Sequence, residues 1–194
     1  LKHEFHASPY MEKYVGEALY MMGEPQQAIE RIKNRYMEQI DSPITTLWEG
    51  WDLSQKGWTY NHAWSGGPLT LLCQYGAGIA PVNPGFNMFS VLPQMGPLEK
   101  INITVPVPGG EITVKLINKS NSFVMNIVVP EGKKAILGIP TDELFTTSKI
   151  KVNDNLIWEK GASHNTIEGI KFLSSDNEFI KFEATPGRWS LHAE

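Results

Sequence analysis

The hydrophobic residues of this 194-residue chain change their spacing near Pro97. Before Pro97 they recur at three- and four-residue steps, as on one face of an α-helix. After it they alternate with polar residues, as on one face of a β-strand. The sequence therefore predicts an α+β chain in two parts, with helices in residues 1–96 and strands in residues 97–194.

Three helices are predicted in the first part. The first extends from Ser8 to Gly23, because serine caps the free amides of a first turn and glycine suits the left-handed position after a last turn. The second opens at Pro25 and the third at Pro68, since proline is favoured at the first helical position. The short link between the first two predicts an antiparallel hairpin. The apolar stripe of the first helix comprises Tyr10, Met11, Tyr14, Val15, Ala18, Leu19 and Met22, and that of the second comprises Ala28, Ile29, Ile32 and Tyr36.

Short alternating segments fill the second part. Pro108-Gly109-Gly110 predicts a hairpin turn between the first two segments, and residues 118–122 predict a turn before the third. Many short strands separated by turns indicate an antiparallel β-sandwich. The predicted strands contain residues 101–105, 112–116, 123–129, 135–139, 149–152, 156–158, 179–183 and 189–191.

Charge and composition argue against several kinds of partner. The net charge is −4, and neither half has the excess of Lys and Arg that nucleic acid binding requires. No apolar run reaches the roughly 20 residues that cross a bilayer. The sole cysteine, Cys73, excludes an internal disulfide and is expected to be a buried apolar residue. His3 and His6 have no further ligand nearby to complete a metal site, so we expect no metal, cofactor, nucleic acid or membrane partner.

A loop rich in tryptophan separates the second and third helices. Residues 41–67 hold four of the six tryptophans, and loops of this length are usually functional or disordered. Disorder is disfavoured, because aromatic side chains at that density favour burial or a ligand surface. Within this loop, Thr45-Thr46-Leu47-Trp48-Glu49-Gly50-Trp51 places one carboxylate between two indoles, and Asn61-His62 follows.

This combination of side chains is typical of sugar binding. Pyranose C–H faces stack on indole rings, while carboxylate, amide and imidazole groups bind the hydroxyls. The Glu49 carboxylate could also activate water, and apolar walls would raise its pKa toward the range that suits a general base.

Each of these residues also has a structural explanation. The Trp-Glu-Gly-Trp segment is explained as well by a packed loop in which Glu49 accepts a bond from a backbone amide. A single histidine such as His62 is more often structural than functional. Trp64, Trp158 and Trp189 are core aromatic residues by default.

Taken together, the loop and its flanks resemble the C-terminal third of family 78 glycoside hydrolases, the bacterial α-L-rhamnosidases. The resemblance spans nearly the whole chain, and its strength lies in the order of the motifs. They are Ala7-Ser8-Pro9-Tyr10-Met11 with Glu17-Ala18-Leu19, Thr45-Thr46-Leu47-Trp48-Glu49, Asn61-His62, Ala77-Gly78-Ile79 with Pro84-Gly85-Phe86, and Pro186-Gly187-Arg188-Trp189.

The resemblance implies a fold, a mechanism and a set of site residues. Residues 1–96 would be the last helices of an (α/α)6 barrel, and residues 97–194 the C-terminal β-sandwich. The enzyme would be inverting, with one carboxylic acid and one carboxylate roughly 6.5–9.5 Å apart across the scissile bond. Glu49 matches the general base of the family and His62 its sugar-contacting histidine. The substrate contacts would be His62, Trp48, Trp51, Asn61 and Trp64.

The general acid of the family lies upstream of these motifs, so the resemblance implies a missing N-terminal part of the same polypeptide. We expect terminal α-L-rhamnose of glycans or glycosides as the substrate, and this chain alone to be inactive. A periplasmic or secreted bacterial location is expected, with the cytoplasm as the alternative.

Three further interpretations stay open. The sequence differs from the family pattern after His62, and its loop from Glu49 to His62 is short. The substrate could therefore be another terminal sugar. A non-catalytic carbohydrate-binding module would also use exposed tryptophans on a β-rich chain. A purely structural domain that supports a barrel would bind no sugar at all.

An incomplete barrel leaves apolar helix faces exposed to water, which promotes association. We therefore expect the isolated chain to associate or to be poorly soluble. Sedimentation velocity tests this expectation, and a monodisperse, highly stable monomer would contradict it.

Overall fold

The computed structural model describes residues 7–52, 54, 57–141, 148–164 and 167–194. It divides the chain into two compact units, Leu1–Gly76 and Ala77–Glu194. The first unit is helical and the second is built from strands.

The helical unit contains three helices, α1 (Pro9–Met21), α2 (Pro25–Asp41) and α3 (Gly67–Leu71). A 3₁₀ turn over Ala63–Gly66 leads into α3, and a π-helical turn over Leu72–Gly76 follows it. The predicted start of α1 is confirmed, because the Met11 N–H donates to Ser8 Oγ over 3.4 Å. None of the described helices is long and apolar enough to cross a membrane.

The buried face of α1 differs from the predicted apolar stripe. Pro9, Glu12, Gly16 and Tyr20 are buried, whereas the members of the predicted stripe Tyr10, Met11, Tyr14 and Met22 are 38%, 45%, 43% and 73% exposed. Two features turn the helix this way. Glu12 forms ion pairs with α2, and Gly16 lets Leu71 of α3 approach so closely that a Cβ would lie 2.3 Å from Leu71 Cδ1.

The predicted face of α2 is confirmed. Ala28, Ile29 and Tyr36 are at most 3% exposed, and Ile32 is half-buried. The Tyr36 hydroxyl donates to the Pro9 carbonyl over 2.9 Å, which ties α2 to the start of α1.

The second unit contains twelve described strands. All of the segments predicted from alternation are strands, and both predicted hairpin turns are present. The strands are β1 (Ile79–Pro81), β2 (Met88–Val91), β3 (Lys100–Val107), β4 (Gly110–Lys119), β5 (Ser122–Val129), β6 (Lys134–Pro140), β7 (Lys149–Val152), β8 (Asn155–Glu159), β9 (Ala162–Ser163), β10 (Ile170–Ser175), β11 (Phe179–Ala184) and β12 (Gly187–Ala193).

These strands form two sheets that enclose one apolar core. One sheet has the order β1-β2-β6-β11-β10 and the other the order β3-β4-β5-β12-β7-β8-β9. All described pairings are antiparallel except that of β2 with β6. The alternation of β4 and β5 places every second residue in the core, as the period of two predicts. Fully buried side chains from both sheets include Phe89, Leu137 and Phe182 of the first and Ile112, Leu116, Phe123, Met125 and Ile150 of the second.

The structure moves the boundary between the two parts from Pro97 to Gly76. Residues 79–81 and 88–91 were expected to belong to the helical part, but they are β1 and β2 of the sandwich. β2 pairs with β6 in parallel, and three of its four residues are buried. Its residues Met-Phe-Ser-Val carry no alternation, so the period that revealed the other strands is absent here.

A prediction for the sandwich concerns Gly78. Gly78 has a φ of 74°, and a Cβ on it would lie 2.1 Å from the carbonyl carbon of Leu92. Gly132 has a similar φ of 71°, but a Cβ there would meet no other part of the chain within 4 Å. Gly132→Ala should lower the free energy of unfolding by about 1–2 kcal/mol, the cost of a left-handed residue with a side chain. Gly78→Ala should lower it by about 1–3 kcal/mol more, because of the clash.

Denaturant unfolding of both variants, followed by tryptophan fluorescence, measures this difference. Equal losses of stability in the two variants would show that the segment around Leu92 moves away at little cost.

Candidate active site

The loop between α2 and the 3₁₀ turn folds back on itself and brings the two ends of the aromatic segment together. The Glu49 N–H donates to the Thr59 carbonyl over 3.0 Å, and the His62 N–H donates to the Leu47 carbonyl over 2.8 Å. Two backbone bonds of this kind fix both the separation and the direction of the paired segments. The side chains of Glu49, Thr59 and His62 therefore meet on one side of the loop.

The Glu49 carboxylate is held through one of its two oxygens. Oε2 accepts from the backbone N–H of Thr59 over 3.0 Å and from its hydroxyl over 2.9 Å. The Nδ1 atom of His62 lies 3.5 Å from the same oxygen. The side chain is 19% exposed, so the carboxylate is held firmly and still reaches solvent.

These contacts lower the pKa of Glu49, where a raised pKa was expected. The backbone and side-chain hydrogen bonds from Thr59 stabilise the charged form, nearby His62 adds to this, and together they outweigh desolvation. The expectation rested on indole walls around the carboxylate, but Trp48 is buried and the Trp51 indole is hydrogen-bonded to the Ala7 carbonyl. Glu49 is therefore ionised at neutral pH.

Trp48 and Trp51 point into the helical unit. Trp48 is 3% exposed, and its backbone is held by Gln39, which accepts from the N–H over 3.2 Å, and by Ser65, which donates to the carbonyl over 2.5 Å. The Trp51 indole donates to the Ala7 carbonyl over 2.7 Å. Trp48 and Trp51 flank Glu49 in the chain, so both fix the Glu49 segment to the helical unit.

An exposed row of aromatic rings extends from His62. The His62 ring lies 4.0 Å from the Trp64 ring, the Trp64 ring 5.0 Å from Tyr10, and the Tyr10 ring 5.6 Å from Tyr14. Trp64 is 45% exposed, so its default assignment to the core is wrong. Trp158 and Trp189 are core residues, at 5% and 8% exposure. Asn61, which precedes His62 in the chain, is exposed.

Sequence reasoning missed three contributors to this region. Thr59 bridges Glu49 and His62, but a lone threonine in a loop carries no pattern. Tyr10 and Tyr14 were counted as part of a buried stripe, although they extend the row outward. An i,i+4 pair of aromatic residues next to a tryptophan loop was the available signal.

A buried ionic cluster, which the sequence did not predict, holds the helices next to the site. Arg31 donates to both oxygens of Glu12, over 2.7 and 2.9 Å, and Arg35 lies 3.1 Å from Glu12 Oε1. The Arg35 guanidinium also lies over the Trp51 ring, 5.6 Å from its centre. The cluster thereby links α1 and α2 to the segment that carries Glu49.

The described residues contain no group of three or more His, Cys, Asp or Glu side chains that could hold a metal ion. His3 and His6 lie outside the described residues. Cys73 is half-buried, and this burial raises the pKa of its thiol, which disfavours a role as a nucleophile.

The chain is similar to proteins named alpha-L-rhamnosidase. Residues 78–152 match the family model described as the bacterial alpha-L-rhamnosidase C-terminal domain. An alpha-L-rhamnosidase of Formosa agariphila is 27% identical over 164 residues, which cover 80% of this chain and 17% of that protein. The chain thus spans 17% of the length of this curated relative.

Solved structures show the same fold. The alpha-L-rhamnosidase of Dictyoglumus thermophilum matches 96% of this chain and 20% of its own, with a TM-score of 0.83 and 23% identity. The Streptomyces avermitilis alpha-L-rhamnosidase complexed with L-rhamnose matches 94% of this chain and 17% of its own, with a TM-score of 0.76 and 20% identity.

These matches support a fragment of a glycoside hydrolase. Within that class the chain is similar to the C-terminal part of the bacterial α-L-rhamnosidases, as its motifs predicted.

The ionic cluster yields a prediction about stability. Glu12→Gln should lower the free energy of unfolding of the helical unit by about 3 kcal/mol, because it removes the buried charge that pairs with both the Arg31 and the Arg35 guanidinium groups. Glu17→Gln is the matched control on the same helix. Its exposed pair with Lys13, at 3.4 Å, contributes at most about 0.5 kcal/mol.

Denaturant unfolding followed by far-ultraviolet circular dichroism compares the two variants. Equal stability of the two would mean that Arg31 and Arg35 find other acceptors when Glu12 loses its charge.

Proposed function

We propose that this chain is part of an inverting exo-glycoside hydrolase that releases terminal α-L-rhamnose, and that Glu49 is its general base. The observation that carries the proposal is the Glu49 carboxylate itself, which is fixed through Oε2 and lies on an exposed loop beside His62 and Trp64. The similarity to proteins named alpha-L-rhamnosidase supports the choice of sugar.

The geometry of Glu49 suits the activation of water. The described hydrogen bonds from Thr59 all reach Oε2, which leaves Oε1 to accept a proton from a water molecule. In an inverting enzyme that water attacks the anomeric carbon from the face opposite the departing oxygen, while a carboxylic acid protonates that oxygen. A lowered pKa keeps Glu49 in the charged, proton-accepting form as the pH falls below neutrality.

Neighbouring side chains would orient the sugar. His62 and Asn61 offer hydrogen-bonding groups to its hydroxyls, and the exposed Trp64 ring offers a stacking surface to its C–H face. Trp48 and Trp51, expected to contact substrate, would instead hold the Glu49 segment in place from the interior.

We also propose that the helical unit is the end of an (α/α)6 barrel completed by a missing N-terminal part, which would supply the general acid. Its exposed apolar side chains support this. Met21, Met22, Ile40 and Leu69 are 69% to 78% exposed, and the rest of a barrel would cover such side chains. A bacterial periplasmic or secreted location is part of the same proposal, since glycans are reached there.

The aromatic row favours one alternative function, carbohydrate binding without hydrolysis. Exposed aromatic rings bind sugars whether or not a carboxylate acts beside them. Calorimetric titration of this chain with rhamnose separates the two functions. Binding that is unchanged in Glu49→Gln, joined to an inactive full-length protein, would favour a binding module.

The main prediction concerns the full-length polypeptide and its Glu49→Gln variant. Release of 4-nitrophenol from its α-L-rhamnoside should fall at least about a hundredfold in the variant, because glutamine cannot accept the proton from water. Glu111→Gln is the matched control, since Glu111 is exposed on β4 of the sandwich, and it should retain the parental rate.

An active parent whose Glu49→Gln variant keeps its rate would show that Glu49 is structural. A parent that is inert on rhamnosides would leave another sugar or the binding module as the function of this site.

A further inference from the structure

We propose that Thr59 is a positioning residue that bridges Glu49 and His62 and fixes the tautomer of His62, with its proton on Nδ1. The proposal rests on the proposed function of Glu49 for its catalytic consequence, but not for its geometry.

The bridge is defined by two short contacts of one hydroxyl. Thr59 Oγ1 lies 2.9 Å from Glu49 Oε2 and 2.8 Å from His62 Nδ1. The direct distance between His62 Nδ1 and Glu49 Oε2 is 3.5 Å, longer than an ordinary N–H···O bond. The hydroxyl therefore carries the interaction between the two side chains.

The direction of each hydrogen bond follows from the number of protons available. An ionised carboxylate can only accept, so the single hydroxyl proton of Thr59 points to Glu49. Oγ1 is then left as an acceptor, and the second bond forms only if His62 Nδ1 carries a proton. A neutral His62 must consequently have a bare Nε2 with a free lone pair.

The fixed tautomer determines what His62 can recognise. A bare Nε2 accepts a hydrogen bond, so it would bind a sugar hydroxyl that donates. The Trp64 ring, 4.0 Å from the His62 ring, limits rotation of the imidazole. Thr59 thus acts on both partners, since its backbone N–H and hydroxyl orient Glu49 while its oxygen orients His62.

The bridge also affects the titration of Glu49. His62 is the titratable side chain that faces Glu49 in the described contacts. Loss of the Thr59 hydroxyl removes a bond that stabilises the Glu49 carboxylate, so the Glu49 pKa should rise and the base should be lost at a higher pH.

Thr59→Val and Thr59→Ser test the bridge, because valine has the same shape without the hydroxyl and serine restores it. The first readout is ¹⁵N NMR of the His62 imidazole in the 194-residue chain, above the pKa of histidine. We expect the Nδ1–H tautomer in the parental chain and in Thr59→Ser, and a mixture of tautomers in Thr59→Val. An Nε2–H tautomer in the parental chain would overturn the proposal even if Thr59→Val failed to fold.

The second readout is the pH dependence of kcat/KM in the full-length polypeptide. The acidic limb should move up by about 0.5 to 1 pH unit in Thr59→Val and stay in place in Thr59→Ser, as loss of one hydrogen bond to a carboxylate predicts. In Thr59→Val we also expect kcat to fall and KM to rise, because His62 loses its orientation toward the substrate. An unchanged limb and an unchanged KM in a folded Thr59→Val variant would also overturn the proposal.

The two readouts separate this proposal from the proposed function. A full-length polypeptide inert on rhamnosides, combined with the expected tautomers, would reject the proposed function and keep the bridge. An active polypeptide with unchanged His62 tautomers in Thr59→Val would reject the bridge and keep the proposed function.

Discussion

The ion pairs of Glu12 with Arg31 and Arg35 determine the arrangement of the helical unit. A carboxylate that is 5% exposed is stable only beside its counter-charges, so the face of α1 that carries Glu12 must turn toward α2. Once that face is buried, the apolar stripe of α1 turns outward. Tyr10 and Tyr14 then join Trp64 and His62 in one exposed row, which begins at the loop that carries Glu49.

The spacing of the hydrophobic residues predicted the strands and helices well where that spacing was regular. It predicted the buried face wrongly where another interaction decided burial. The alternation of β3, β4 and β5 predicted those strands and their turns because each has one buried face. β1 and β2 are too short or too evenly apolar for any period to appear. The stripe of α1 was predicted to be buried because it is apolar. The ion pairs of Glu12 with its two arginine partners instead decided which face of the helix is buried.

The candidate site was likewise predicted only in part. Glu49 and His62 were found from a motif and are brought together by the loop. Thr59 could not be found, since its role depends on a fold-back that joins residues ten positions apart in the chain, which no local pattern reports. The expected rise in the Glu49 pKa was wrong for a related reason. Sequence places indoles beside Glu49, but the chain turns them inward and presents hydrogen-bond donors instead.

The parallel pairing of β2 with β6 has a consequence for how the sandwich can be isolated. A fragment that begins at Pro97 lacks β1 and β2, so β6 becomes an edge strand with an unpaired backbone. β6 carries Ala135, Leu137 and Ile139, each fully buried in the intact sheet. An apolar, unprotected edge of this kind is a template for intermolecular strand pairing and aggregation. The sandwich is therefore a separable domain only if the cut is made before β1, close to Gly76.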